Sequence, residues 1–288
     1  MTGHRREAAG SLLAAPTPSG GGEITDFLYG RSAFFAGTAN VILQLGWPAV
    51  GHGVVHGAVA SGSVMKRPRK RLRTTLTHLA VAMMATDEER DAWRDAVNGQ
   101  HRQVRSGPGA PVKYNAFDRE LQLWVAACIY YGTVDVYERF HGPMEDVAAD
   151  WLYQESARFG TTLQMSPDQW PPNREAFDVY WREGLAKIEF DETVKAYLVG
   201  LLELTQVSPR IRRRYGDFHR WINTGFLPDE VKDKLGLSWS AEDERKHAAM
   251  CRRSGRRADR LPAPVRLFPL NFYLLDFRLR RMARRPLV

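Results

Sequence analysis

Two consecutive stretches between Arg71 and Arg105 constrain this chain most tightly, because each carries a helical period with polar residues set into or beside its apolar face. The second, TDEERDAWRDAVNGQHRQVRSG, opens with Thr86 as a helix cap and Glu89 three residues on as the other half of a capping box, and Gly107-Pro108 is the expected stop. Trp93, Val97, His101 and Val104 recur at spacings of four, four and three, whereas Arg90, Asp91, Arg94, Asp95, Asn98, Arg102 and Arg105 fall elsewhere on the wheel. A histidine therefore stands in line with core residues, where its imidazole needs a hydrogen-bond partner or a metal to offset desolvation.

The first stretch, RLRTTLTHLAVAMMA, predicts a helix over 70–85. Leu72, Leu76, Leu79 and Met83 form its apolar stripe, and Arg71, Thr75 and His78 form a second, polar row. That row suits either a polar pocket wall or a solvated face, and periodicity alone does not choose. Upstream, residues 32–47 are apolar nearly all round and predict a buried helix stopped by Pro48, too short and interrupted for a membrane span. The next apolar piece carries His52 and His56 one turn apart, a zinc-like spacing. Gly53 stands where a zinc hydrolase needs its glutamate, so packing or pocket lining is the expected role of that pair.

Downstream, Asp118 starts the longest apolar helix, LQLWVAACIYYGTVDVYERF, with Leu121, Trp124, Val125, Cys128 and Tyr131 on one broad face. Amphipathic helices are expected over 144–159, 174–188 and 191–204, with SPRIRRRYG ending a helix and breaks at Pro228, Gly236, Gly255, Pro262, Pro264 and Pro269. No stretch alternates as a strand does, and neither a G-x-G-x-x-G nor a nucleotide-binding P-loop occurs. The expected fold class is all-α: residues 1–22 as a flexible tail, then one multi-helix domain over 23–288.

The 288 residues carry a net charge of +8, concentrated at 66–73, 210–214 and 252–285. No zinc-finger, basic-zipper or aromatic RNA-binding signature accompanies those runs, so a solvated face is expected and nucleic acid is not an expected partner. The C-terminal LNFYLLDFRLRRMARR interleaves arginines with apolar residues as peripheral membrane helices do, which leaves weak membrane-surface contact open beside the simpler docking on the chain's own core. Cys128 and Cys251 are far apart and form no C-x-x-C, and the N-terminal residues lack the apolar run of a secretory signal; the cytoplasm is the expected compartment.

The motifs R-x-x-T-T at Arg71 to Thr75, H-x-x-V-R at His101 to Arg105, Tyr114 with Asp118, Leu123-Trp124-Val125, and the later SPRIRRRYG and RADRLPAPVRLFP together resemble the rubber-oxygenase catalytic domain, or mpaB-type oxygenase, family over about 31–280. The resemblance implies a globin-like helical core around a b-type haem. His101 matches the axial iron ligand, Arg71 and Thr75 match the catalytic distal row, and Thr74 stands where rubber-cleaving members carry a lysine. Arg71, Thr74, Thr75 and Arg105 are the implied cofactor contacts beside His101, with arginines such as Arg102 or Arg105 available to the propionates. Ala126 and Trp47 stand where relatives frequently carry histidines, which points to a substrate other than polyisoprene. The implied activity is oxidation of an apolar, natural-product or isoprenoid-like small molecule with dioxygen or peroxide. The alternatives are a haem-binding redox catalyst or sensor, and a basic membrane-surface or nucleic-acid interaction protein.

Overall fold

A computed structural model describes residues 27–30, 32–57 and 63–288; the expected tail at 1–22 lies outside them. The described residues are all-α. In chain order the helices are α1 (Ser32–Leu45), α2 (Pro48–Val55), α3 (Pro68–Met84), α4 (Asp87–His101), α5 (Arg119–His141), α6 (Asp146–Ser156) and α7 (Arg158–Thr161). They continue as α8 (Arg174–Ala186), α9 (Glu192–Leu202), α10 (Pro209–Thr224), α11 (Asp229–Leu235), α12 (Ala241–Ala258), α13 (Ala263–Arg266) and α14 (Leu270–Met282).

The starts follow cap chemistry. Asp118, Asn173 and Asp191 accept backbone N–H groups at the heads of α5, α8 and α9, and Thr86 with Glu89 closes the expected capping box of α4. Proline occupies the first turn of α2, α3 and α10, where its missing N–H costs nothing.

Three boundaries differ from the sequence reading. The α4 helix ends at His101 rather than at Gly107: Val104 N–H turns back to the His101 carbonyl, and residues 104–106 then pair with 114–116 through Ala116 N–H to Val104 O and Ser106 N–H to Tyr114 O. SPRIRRRYG begins α10 instead of ending a helix, with Ser208 as cap and Pro209 in its first turn. Gly255 lies inside α12, where a Cβ would sit 2.3 Å from the Phe140 carbonyl; the glycine lets α12 close on α5.

α5 is central. Trp124, Ala126, Ala127 and Cys128 are completely shielded, and α1, α7 and α12 pack around it. α14 lies along α3, so the C-terminal basic helix docks on the chain's own core. Leu274 and Phe277 fill that contact, and buried Arg278 donates two hydrogen bonds to Glu89, Nε to Oε1 at 2.7 Å and Nη2 to Oε2 at 3.0 Å. Arg281 pairs with Glu88 and Arg280 with Asp276. Much of that helix's charge is thus spent inside the molecule. No described helix is long and apolar enough to cross a membrane.

Candidate functional site

The site is built by α3 and α4, joined at Ala85-Thr86. α4 buries Glu89, Trp93 and Val97, and this same face ends on His101, half-buried against the Phe117 ring, edge-on at 6.1 Å. Its Nδ1 is shielded from solvent and has no hydrogen-bond partner. Burial, and secondarily the Arg71 charge, push His101 down to about 4, so the ring is neutral at physiological pH.

Arg71 is exposed by surface area, yet its guanidinium is desolvated enough to lower its pKa. The guanidinium thus stands at the surface of the chain with protein crowding it. Among the described residues the Arg71 side chain has no hydrogen-bond or ion-pair partner. Its charge acts on Tyr197 of α9 as well as on His78 and His101, so these four groups lie in one neighbourhood.

Within the same row, Thr75 lies one turn from Arg71 and is half-buried. Thr74 turns its hydroxyl back to the Lys70 carbonyl at 2.9 Å, as Thr77 does to Arg73 at 2.8 Å; a hydroxyl so committed has less to offer a ligand. His78 is fully engaged: Trp93 Nε1–H donates to its Nδ1 at 3.1 Å, which leaves Nε2–H to donate to the Phe159 carbonyl at 3.2 Å. With burial pushing it down to about 4, His78 is a neutral, pinned strut rather than a proton relay. Arg105 is exposed on the short 104–106 pairing, beyond the end of α4, and Arg102 is exposed as well.

His52 of α2 is engaged by a carboxylate, with His56 just past the helix end. His52 Nε2 lies 2.7 Å from Asp191 Oδ2, the cap of α9, with the His56 ring 5.1 Å away, and no group of three or more metal-ligating side chains is found among the described residues.

A profile of the family described as "ER-bound oxygenase mpaB/B'/Rubber oxygenase, catalytic domain" matches residues 25–256. The chain belongs to this family. The mpaB/rubber-oxygenase match stops before RADRLPAPVRLFP, so α13 and α14 lie beyond it, although the sequence resemblance extends to about residue 280. Two mycobacterial relatives, Mb2261 of Mycobacterium bovis and Rv2237 of Mycobacterium tuberculosis, both described as uncharacterized, are each 44% identical over 251 residues, 87% of this chain and 98% of theirs. No solved structure matches.

Membership in an oxygenase family sharpens what α3 and α4 offer: a neutral imidazole within the field of a cation that has no side-chain partner among the described residues. Tyr197 joins these residues without having been visible in any motif. It is one aromatic on an otherwise ordinary amphipathic helix, and only the packing of α9 on α2 and α1 brings it to Arg71.

Proposed function

We propose that this chain is a b-type-haem-dependent oxygenase that oxidises an apolar small molecule, with His101 as the iron ligand. One observation carries the reading: in a chain of an oxygenase family, a neutral imidazole and a guanidinium that lie in one neighbourhood both have no side-chain hydrogen bond to protein among the described residues. The uncommitted Nε2 of His101 is the atom that would hold the iron, and Arg71 would answer negative charge on the bound group.

The residues present fit that group. His101 is neutral and uncommitted, as a ligand must be. Its Nδ1 lacks the acceptor that commonly steadies a ligand histidine, so the ring is held by the end of α4 and the Phe117 edge instead. Bound haem would supply activation of dioxygen or peroxide. Arg71 would direct five N–H donors toward negative charge developing beside it, in surroundings that weaken competing solvation. Thr75, one turn on, adds a hydroxyl to the same wall, and Thr74, bonded to Lys70, serves mainly to shape it. Arg105, exposed beyond α4, would be available to a propionate rather than to the reacting atoms.

Purified protein reconstituted with haem should show a Soret band, and His101→Ala should lose it while keeping its helical circular dichroism. A colourless wild-type protein, or an unchanged band in His101→Ala, would sink the assignment.

A further inference from the structure

The first turns of α10 stand out from the rest of the surface. Ile211, Tyr215 and Phe218 recur at spacings of four and three, and they are 47%, 54% and 48% exposed. α14 also leaves apolar side chains in solvent, Phe272, Leu279 and Met282, but there the neighbouring Arg280 and Arg281 are paired with Asp276 and Glu88. Arg210, Arg213 and Arg214 flank the α10 stripe, all exposed and none in an ion pair among the described residues, while Arg212 and Arg220 are held by Glu203 at 2.8 and 3.2 Å. Asp217 is the exposed opposing charge on this helix segment.

This face is joined to the neighbourhood of Arg71 through α9, which packs on α10. Tyr197 and Gly200 are neighbours on α9: the field of Arg71 reaches the first, and the Met65 methyl lies 3.5 Å from where a Cβ on the second would be. Met65 also contacts the Thr205 hydroxyl at 3.9 Å, which sets the loop before α3 against the α9–α10 connection. Exposed Lys66 and Arg67 follow Met65 directly, and exposed Arg69 shares the first turn of α3 with Arg71.

We propose that the Ile211–Tyr215–Phe218 stripe, with Arg210, Arg213 and Arg214, docks on an anionic lipid bilayer and turns the Arg71 side of the molecule toward it. The arginines match lipid phosphates, and the three apolar side chains reach the depth at which interfacial helices bury their apolar faces. A nucleic-acid backbone would satisfy the arginines but leave Ile211 and Phe218 in water. The orientation rests on the reading of the Arg71 neighbourhood as the site for an apolar substrate, which would then be taken from the bilayer; the lipid contact itself does not.

The test is sedimentation of the full-length, haem-loaded protein with vesicles of phosphatidylcholine alone or mixed with phosphatidylglycerol. Binding should require the anionic lipid and weaken with salt. It should fall on the order of 100-fold in the triple variant Arg210→Gln, Arg213→Gln, Arg214→Gln, and at least about tenfold in Ile211→Ser, Tyr215→Ser, Phe218→Ser. Both variants alter exposed positions, and circular dichroism checks their fold. Equal binding to neutral vesicles, full binding by the serine variant, tighter binding to a mixed-sequence DNA duplex at the same salt, or a serine variant that changes only self-association in light scattering would each overturn the proposal. The Soret band is read in the same samples. Vesicle binding without that band defeats the haem assignment alone, and the band without vesicle binding defeats the lipid face alone.

Discussion

His78 and His101 stand on consecutive helices and share a depressed pKa, but they differ in what their nitrogens meet. Both ring nitrogens of His78 are bonded, to Trp93 and the Phe159 carbonyl, whereas Nδ1 of His101 meets nothing. A third histidine, His247, is completely buried, donates to the Ile222 carbonyl at 3.2 Å and faces the Cys251 thiol at 3.8 Å. Burial pushes all three down to about 4. Between that value and the ordinary value of 6.5, the unfolded chain binds protons that the folded chain refuses, so stability present at neutral pH is lost as pH falls through this window. Thermal unfolding should shift to lower temperature from pH 6.5 to 4, and His247→Gln should flatten the dependence; a variant as steep as the parent would show that His247 does not contribute. The inward direction of His101 was legible from its spacing with Trp93 and Val97. The commitment of His78 was not, since its acceptor comes from residue 159, on a helix that shares no local pattern with α3.

At the scale of elements, α4 is fastened at both ends. Its head carries the Thr86–Glu89 capping box, and Glu89 also receives buried Arg278 from α14. Taking away one member of a buried, doubly bonded ion pair typically costs about 3–5 kcal/mol, so Arg278→Ala should lower the urea midpoint by a corresponding amount. On the proposed reading, the same variant would also hold haem more weakly, because the helix that ends in His101 loses its anchor. An Arg278→Ala protein with unchanged stability would show the pair to be incidental. The capping box was legible because both partners lie within four residues. Its third partner, 189 residues away, has no local signature. The same limit explains the misplaced end of α4: Gly107-Pro108 is a sound stop signal, but the pairing of 104–106 with 114–116 captures the chain first. Ser208-Pro209 reads equally as the end of one helix or the start of the next until the direction of α10 is seen.

Across the whole molecule, the all-α class followed from periodicity and the absence of alternating strands, and the packing order did not. α5 is joined to α1 and α8 by an aromatic column in which Trp47 stacks on Trp124 at 4.8 Å and Trp124 on Trp181 at 5.2 Å. Trp47 Nε1–H donates to the Gly184 carbonyl at 3.0 Å, and Trp124 Nε1–H to that of Leu43 at 3.2 Å. A Cβ at Gly184 would lie 2.3 Å from the Trp124 ring, so α8 approaches α5 only through that glycine. Gly184→Ala should therefore destabilise by about 1–3 kcal/mol as the column is forced apart, measured as a loss in urea midpoint; an unchanged midpoint would mean the column shifts freely. Net charge was a poor guide at this scale. The C-terminal run drew most notice as a basic helix, yet Arg278, Arg280 and Arg281 of α14 are taken up by Glu89, Asp276 and Glu88, while among the described residues the exposed arginines without an ion pair include Arg210, Arg213 and Arg214 of α10 and Arg252, Arg253, Arg256 and Arg257 of α12.

The clasp of α14 on α3 and α4 also has a meaning in time. The helix that fixes the head of α4 contributes an arginine 189 residues downstream of Glu89, so α3 and α4 leave the ribosome well before it. Until α14 has emerged and docked, Glu89 has no Arg278, and the helix bearing His101 is held only by its own cap and the Trp93 face. Any group that needs α3 and α4 at a settled spacing would therefore meet its finished seat only after α14 has closed on them.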